Sequence, residues 1–166
     1  LGECYWQRGE LDSARHVFRA ALEHRRCAST LCHLSMLLRT LSSAAGGGSV
    51  DALLQESVVL AKEAVRLETT SSRCWAGLGA AHLSLHAHVT SDAEDLHLAH
   101  RAFTQAGKTA ARDDADIALN HATVQWMLDC PEAALRQYTR AHELDADMAT
   151  ALSFRADLWA TLVKIS

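Results

Sequence analysis

The 166-residue sequence predicts an all-α fold, a solenoid of about four helical hairpins and a closing helix that coils as a right-handed superhelix around a concave groove. Three observations carry that reading. Apolar residues recur at helical spacing along most of the chain, and proline occurs once. A pattern of small and aromatic residues also returns with a period of about 34 residues. Hydrophobic residues make up 49% of the chain, enough for one continuous core of moderate size.

The first hairpin is written most clearly. In Leu1-Gly2-x-x-Tyr5 and Gly9-x-Leu11-x-x-Ala14-x-x-x-Phe18-x-x-Ala21-Leu22, small residues (Gly2, Ala14) stand where two helices cross closely. Tyr5, Phe18 and Leu22 fill the seam between them. This order of sizes resembles a tetratricopeptide hairpin, a unit that cannot bury its own apolar face and must stack on copies of itself. Repeat two carries Leu31, Leu34, Leu38 and Leu41 on one stripe of residues 29–41, with Met36 read as its small-class position. The partner helix, residues 51–67, places Leu54, Val58, Ala61, Ala64 and Val65 at core spacing. Repeat three opens on Trp75-x-x-Leu78-Gly79 and is answered by Ala99-x-x-x-Phe103-x-x-Ala106. Repeat four runs from Leu119-Asn120-His121-Ala122 to Ala134-x-x-x-Tyr138-x-x-Ala141. A closing helix begins near Met148 and continues through Leu152, Ala156, Trp159 and Val163. The division is therefore 1–28, 29–71, 72–114 and 115–147, with the closing helix over 148–164. Beginning inside a repeat, the chain reads as a piece of a longer protein with its first helix cut short.

Two interruptions read as loops. Residues 42–50 (SSAAGGGSV) have the composition of a flexible linker, and residues 88–95 (HVTSDAED) lengthen the turn inside repeat three, with Ser91 or Asp92 as the cap of the next helix. Insertions of this kind map to one face and leave the stack intact.

Charge and reactive side chains point away from catalysis. Sixteen Lys plus Arg against twenty Asp plus Glu give −4, so the chain is not a basic nucleic-acid binder. Arg15, Arg19 and Arg26 form a local basic stripe, read as a solvated helix face because no aromatic platform is interleaved with it. Five cysteines form no C-x-x-C pair, which fits a reducing compartment; Cys4, Cys32 and Cys74 read as small core residues. His82 and His86 share a helix face at metal-site spacing, yet Leu83 stands where a zinc-protease motif needs Glu. No phosphate loop or nucleophile elbow appears. The expectation is a binding protein with no enzyme activity, no cofactor and no metal. No apolar run reaches the ~18–20 residues of a membrane span, and neither end reads as a signal peptide.

In a tetratricopeptide stack the first helix of each hairpin lines the concave face. Repeat two then offers Thr30, His33, Leu37 and Thr40, with Arg39 beside the last. Repeat three offers Arg73, Ala76, Ala80 and Leu83; repeat four offers Asp116, Leu119, Thr123 and Trp126; the closing helix offers Thr150, Ser153 and Asp157. The groove is mixed, apolar along its floor with Arg39 at one end and Asp116 and Asp157 at the other. On pattern alone, Asp116 is also a first-turn acid worth ~0.3–1 kcal/mol against the helix dipole. Arg39 can equally snorkel from a helix C-terminus.

LGECYWQRGELDSARHVFRAALEHRR, HLSMLLRTL, CWAGLGAAHLSL, DIALNHAT and EAALRQYTRAHELD follow one another in an order and spacing that resembles the tetratricopeptide repeat protein 5 family across nearly the whole chain. The most specific element is Leu34-Ser35-Met36-Leu37-Leu38-Arg39. The resemblance implies a reader of nascent tubulin N-termini (Met-Arg-Glu and then an apolar or Cys residue) at the ribosome. Such a reader engages mRNA-decay adaptor proteins, so that free tubulin lowers its own synthesis. It implies Arg39 as partner of the peptide's Glu and Asp116 as partner of its Arg. A second acidic contact falls near Thr150, which is not acidic, leaving Asp147 or Asp157 to substitute; Leu83, Leu119 and Trp126 are the candidates for the apolar floor. The resemblance places the protein in the cytoplasm, with the nucleus as second compartment, and binding neither membrane nor a specific nucleic-acid sequence. It also carries a competing role as a stress-responsive transcription cofactor, a general scaffold. A clamp for chaperone tails fits less well, since Asn120 has no accompanying set of groove lysines.

Overall fold

The computed structural model describes residues 1–44, 49–110, 114–147 and 153. Eight α-helices follow in order: α1 (Gly2–Gln7), α2 (Leu11–His24), α3 (Ala28–Ala44), α4 (Ser49–Leu67), α5 (Ser72–Leu85), α6 (Ala93–Thr109), α7 (Ala115–Met127) and α8 (Pro131–Leu144). Consecutive pairs α1–α2, α3–α4, α5–α6 and α7–α8 pack as hairpins, and each hairpin packs on the next. The first helices touch one another directly, α3 against α5 and α5 against α7. The chain is an all-helical tetratricopeptide solenoid with α3, α5 and α7 along its inner layer. The closing helix expected over 148–164 lies outside the described residues, apart from Ser153.

Close crossings hold each hairpin. A Cβ added to Gly2 would lie 2.5 Å from the Phe18 ring, and one added to Gly79 would lie 2.9 Å from the Phe103 ring. Ala122 packs on Tyr138 in the same way. In the α3–α4 hairpin the small residue is Ser35, which corrects the reading of Met36 at that place. Ser35 Oγ and Ser57 Oγ are 3.0 Å apart, and each hydroxyl also reaches the other residue's carbonyl at 3.0 Å. Two buried hydroxyls that satisfy each other let the helices meet without a glycine. Met36 is turned out, 40% exposed.

The loops are shorter than their composition suggests. Ser42–Ala44 extend α3 and Ser49–Val50 begin α4, leaving 45–48 between them, outside the described residues. Ser42 and Ser43 hydroxyls both donate to the Arg39 carbonyl, which binds this serine-rich end into the helix. In the second interruption, His86–Thr90 make a π-helical turn, Ser91 takes a left-handed conformation (φ 50°), and Asp92 caps α6 by accepting from Glu94 N–H at 3.0 Å. His82 points inward from α5. Its Nδ1 lies 2.8 Å from Asp95 Oδ1, and Asp95 Oδ2 accepts from Thr90 Oγ1 at 2.7 Å. Among the described residues no three His, Cys, Asp or Glu converge as metal ligands.

The basic stripe that runs along α2 and just past its end is engaged. Arg15 pairs with Asp12, while Arg19 reaches Glu56 and Arg26 reaches Glu63 across to α4. Half-exposed pairs like these contribute ~0–1 kcal/mol each, and they neutralise the surface that an acidic polymer would need. Of the cysteines expected in the core, Cys32 and Cys74 are buried and Cys4 is exposed. Cys4 sits on α1, with no hairpin before it among the described residues.

Two tests follow from this packing. Gly79→Ala should destabilise the fold by ~1–3 kcal/mol in urea unfolding, despite the ~1 kcal/mol that alanine gains in helix propensity, because Phe103 is 1% exposed and has nowhere to move. The second concerns His121, whose Nε2 lies 3.1 Å from His100 Nδ1 between α6 and α7. Burial, then the neighbouring His100, pushes His121 down to about 4. The unfolded chain then binds the proton more readily, so stability is full above about pH 6.5 and falls as pH drops toward 4. His121→Gln should flatten that part of the stability–pH curve.

Candidate peptide-binding groove

The inner helices enclose a groove of about 570 Å³. α3 supplies Cys32, Met36 and Arg39, and α5 in the middle supplies Arg73, Ala76 and Ala80. The start of α7 supplies Asp114, Asp116, Ile117 and Asn120, and Phe103 of α6 closes the base. Arg39 and Asp116, paired by the family resemblance, line this one groove from the two sides of α5.

Their environments differ. Arg39 stands on the last turns of a helix whose other faces are core: Leu34, Leu37 and Leu38 are all 1% exposed or less. Its Nε is shielded from solvent with no hydrogen-bond partner, and no acid pairs with its guanidinium among the described residues. Burial lowers its pKa to about 10, with the Cys32 sulfur opposing that shift. The group still carries its full charge at neutral pH. Asp116 is exposed in the first turn of α7. Its backbone is fixed: its N–H donates to Asp114 Oδ1 at 2.9 Å and its carbonyl accepts from Asn120 Nδ2 at 2.8 Å. No hydrogen bond within the described residues holds its carboxylate.

The remaining sequence assignments fall elsewhere. Leu83 packs into the α5–α6–α7 core beside Phe103 and Val124, and Leu119 packs between α7 and α8 against Ala122, Ala134 and Tyr138. Neither lines the groove, because a large aliphatic side chain at a seam is drawn into the core. Trp126, 45% exposed, sits near the end of α7 away from it. Thr150 and Asp157 lie outside the described residues. The apolar floor is built from Ala76, Ala80, Ile117 and Phe103, with Met36 on the wall.

Reading Met36 as the small position shifted the expected lining of α3 by one residue. Leu37, expected in the groove, is fully buried, and Thr40 is exposed outside it; Cys32 and Met36 take their place beside Arg39. His33 does reach the groove and a neighbouring hollow of about 380 Å³ shared with Glu3 and Trp6. It stacks on Phe18 and lies 3.3 Å from Glu3; burial lowers its pKa, and the Glu3 carboxylate opposes that shift. Asp114 is the acid that sequence reading missed. The run Asp113-Asp114-Ala115-Asp116 before an apolar stretch carried the signal of a helix cap.

No family model matches the chain. Over 147 residues, 87% of its length, it is 34% identical to Tetratricopeptide repeat protein 5 of Mus musculus and of Bos taurus, and 33% identical over the same span to that of Homo sapiens. The chain spans about a third of the length of these curated relatives, 33%. Among solved structures it superposes on a thermophilic TPR protein of Thermus thermophilus (TM-score 0.77, 17% identity, 96% of this chain and 78% of that one). YrrB, described as a TPR protein with an unusual peptide-binding site, gives 0.69 at 17% identity over 93% of this chain and 71% of its own. The first TPR of Spaghetti, bound to an HSP90 peptide, gives 0.60 at 12% identity over 78% and 93%. At such identities these likenesses establish the fold.

Cap and groove acid can be separated by experiment. Asp114 Oδ1 accepts from both Asp116 N–H and Ile117 N–H, so Asp114→Ala should cost ~1 kcal/mol of stability. Asp116→Ala should stay within ~0.5 kcal/mol of the parent in the same thermal or urea measurement.

Proposed function

Given a tetratricopeptide repeat domain related over 87% of its length to Tetratricopeptide repeat protein 5, we propose that this chain is a peptide-binding adaptor that reads Met-Arg-Glu at the N-terminus of nascent tubulin. The reading includes docking at the ribosome in the cytoplasm and recruitment of mRNA-decay adaptors, which would couple excess tubulin to loss of its message. One observation supports it above the rest. A partly buried guanidinium with no acidic partner among the described residues shares a groove with an exposed carboxylate, across an apolar floor.

An Arg-Glu dipeptide carries opposite charges on adjacent residues, which project to opposite sides of an extended chain. A reader therefore needs a base and an acid set apart across a groove. Arg39 on α3 and Asp116 on α7, with α5 between them, have that arrangement. The peptide's Glu would supply the anion that Arg39 lacks within the fold, as a charge-assisted pair worth ~1.5–3 kcal/mol per hydrogen bond. The flanking Met or fourth side chain would lie on Ala76, Ala80 and Ile117. Asp114 adds negative charge beside Asp116.

Arg39→Ala should weaken binding of a Met-Arg-Glu-Ile peptide by about tenfold or more, ~1.4 kcal/mol per decade, in a fluorescence titration. The same variant should unfold at the parent's midpoint or above it, because it removes a partly buried cation that has no acidic partner among the described residues. Asp116→Ala should weaken the Arg-bearing peptide and leave one with Ala at that residue nearly unchanged. Equal affinity for a scrambled peptide would favour the general scaffold over the tubulin reader.

A further inference from the structure

Two cysteines from adjacent inner helices meet at the groove wall. Cys32 Sγ on α3 and Cys74 Sγ on α5 are 3.5 Å apart, in van der Waals contact, although the residues are 42 positions apart in the chain. A disulfide bond measures ~2.05 Å, so the sulfurs need approach by only about 1.5 Å. Cys74 is 2% exposed; Cys32 is 8% exposed and lines the groove. One thiol can be reached from solvent through the groove, and the other waits directly behind it.

We propose that Cys32 and Cys74 are an oxidisable pair, a covalent modification site that reacts with a small disulfide of the glutathione type and closes into a bridge joining the α3–α4 hairpin to the α5–α6 hairpin. The Cys32 thiol gives its proton to solvent, and the thiolate attacks one sulfur of the reagent. The reagent's S–S bond breaks, and one thiolate leaves and is protonated. Cys32 then carries a mixed disulfide. Cys74, deprotonated in turn, attacks Cys32 Sγ and displaces the second small thiol. Two protein thiols are oxidised, one small disulfide is reduced to two thiols, and no other oxidant is required.

The surroundings set the rate. Burial, then the neighbouring Cys74, pushes the Cys32 thiol up to about 12, with Glu68 acting in the same direction and Arg73 against it. Arg39 lies on the same groove wall. Thiolate is scarce at neutral pH, so closure is slow even when the pool becomes oxidising. Closure should speed up about tenfold per pH unit through the neutral and mildly alkaline range.

The test uses a variant with Cys4→Ser, Cys27→Ser and Cys130→Ser, which removes the three thiols outside the pair. After incubation with glutathione disulfide, intact-mass spectrometry should show the loss of two hydrogens. Peptide mapping should link the Cys32 and Cys74 segments, and the unfolding temperature should rise by about 5 °C or more. Dithiothreitol should reverse all three. Cys74→Ser in the same background should stop at a glutathione adduct on Cys32. Two free thiols after prolonged incubation at pH 9, or an adduct that persists on Cys32 while Cys74 is intact, would overturn the proposal. Should the serine variants fail to fold, disulfide mapping of the unsubstituted chain decides the same question.

Discussion

Helices can approach to ring contact only where one of them carries almost no side chain, and this chain meets that condition in three of the four hairpins it shows. Gly2 lies on Phe18, Gly79 on Phe103 and Ala122 on Tyr138, while Ser35 and Ser57 join the fourth pair by hydrogen-bonding to each other. Each crossing fixes how its inner helix is rotated about its own axis. That rotation decides what is left facing the hollow. With Gly79 turned to α6, Ala76 and Ala80, one turn apart, fall on the neighbouring face and become floor. With Ser35 turned to α4, the face carrying Cys32, Met36 and Arg39 becomes wall. Groove chemistry is thus a consequence of where the small residues sit.

Most of the fold was legible because size alone marks a Gly–Phe crossing. The Ser35–Ser57 crossing was not, since serine is read by size as merely small, and its reciprocal hydrogen bonds involve a residue 22 positions away. That single ambiguity moved the expected α3 lining by one residue and put Leu37 and Thr40 where Cys32 and Met36 belong. Leu83 and Leu119 went astray for another reason. Periodicity says that a leucine is on an apolar face, but the floor of a groove and the seam between helices are both apolar faces. The assignment of Arg39 and Asp116 came from the family resemblance; their pattern alone was equally that of a snorkelling cation and a first-turn acid. His82 shows the same limit, because its partner Asp95 lies on the next helix and nothing in local spacing announces the pair.

The two charged ends of the groove should contribute differently. Asp116 is solvated, so an ion pair made there exchanges water for a partner at little net gain. It serves better to orient an approaching cation and to reject an anion, as exposed charges at interfaces do. Arg39 has already lost much of its hydration, a cost met when the chain folded. An anion arriving beside it meets a low-dielectric wall, so the attraction is weakly screened.

This asymmetry also explains why arginine suits the wall better than lysine. A lysine with its nitrogen so shielded would be pushed toward neutrality far more readily, and the groove would lose its fixed charge. Arginine lowered to about 10 keeps its proton at any physiological pH. Its five N–H donors also allow two parallel bonds to one carboxylate while the Nε side stays against the wall. Such a fork accepts a carboxylate in one plane and discriminates against a neutral amide of the same shape, which can offer only one oxygen. On the proposed reading, selectivity for an acid at this end would follow from the guanidinium's geometry and dehydration together, whichever peptide presents it.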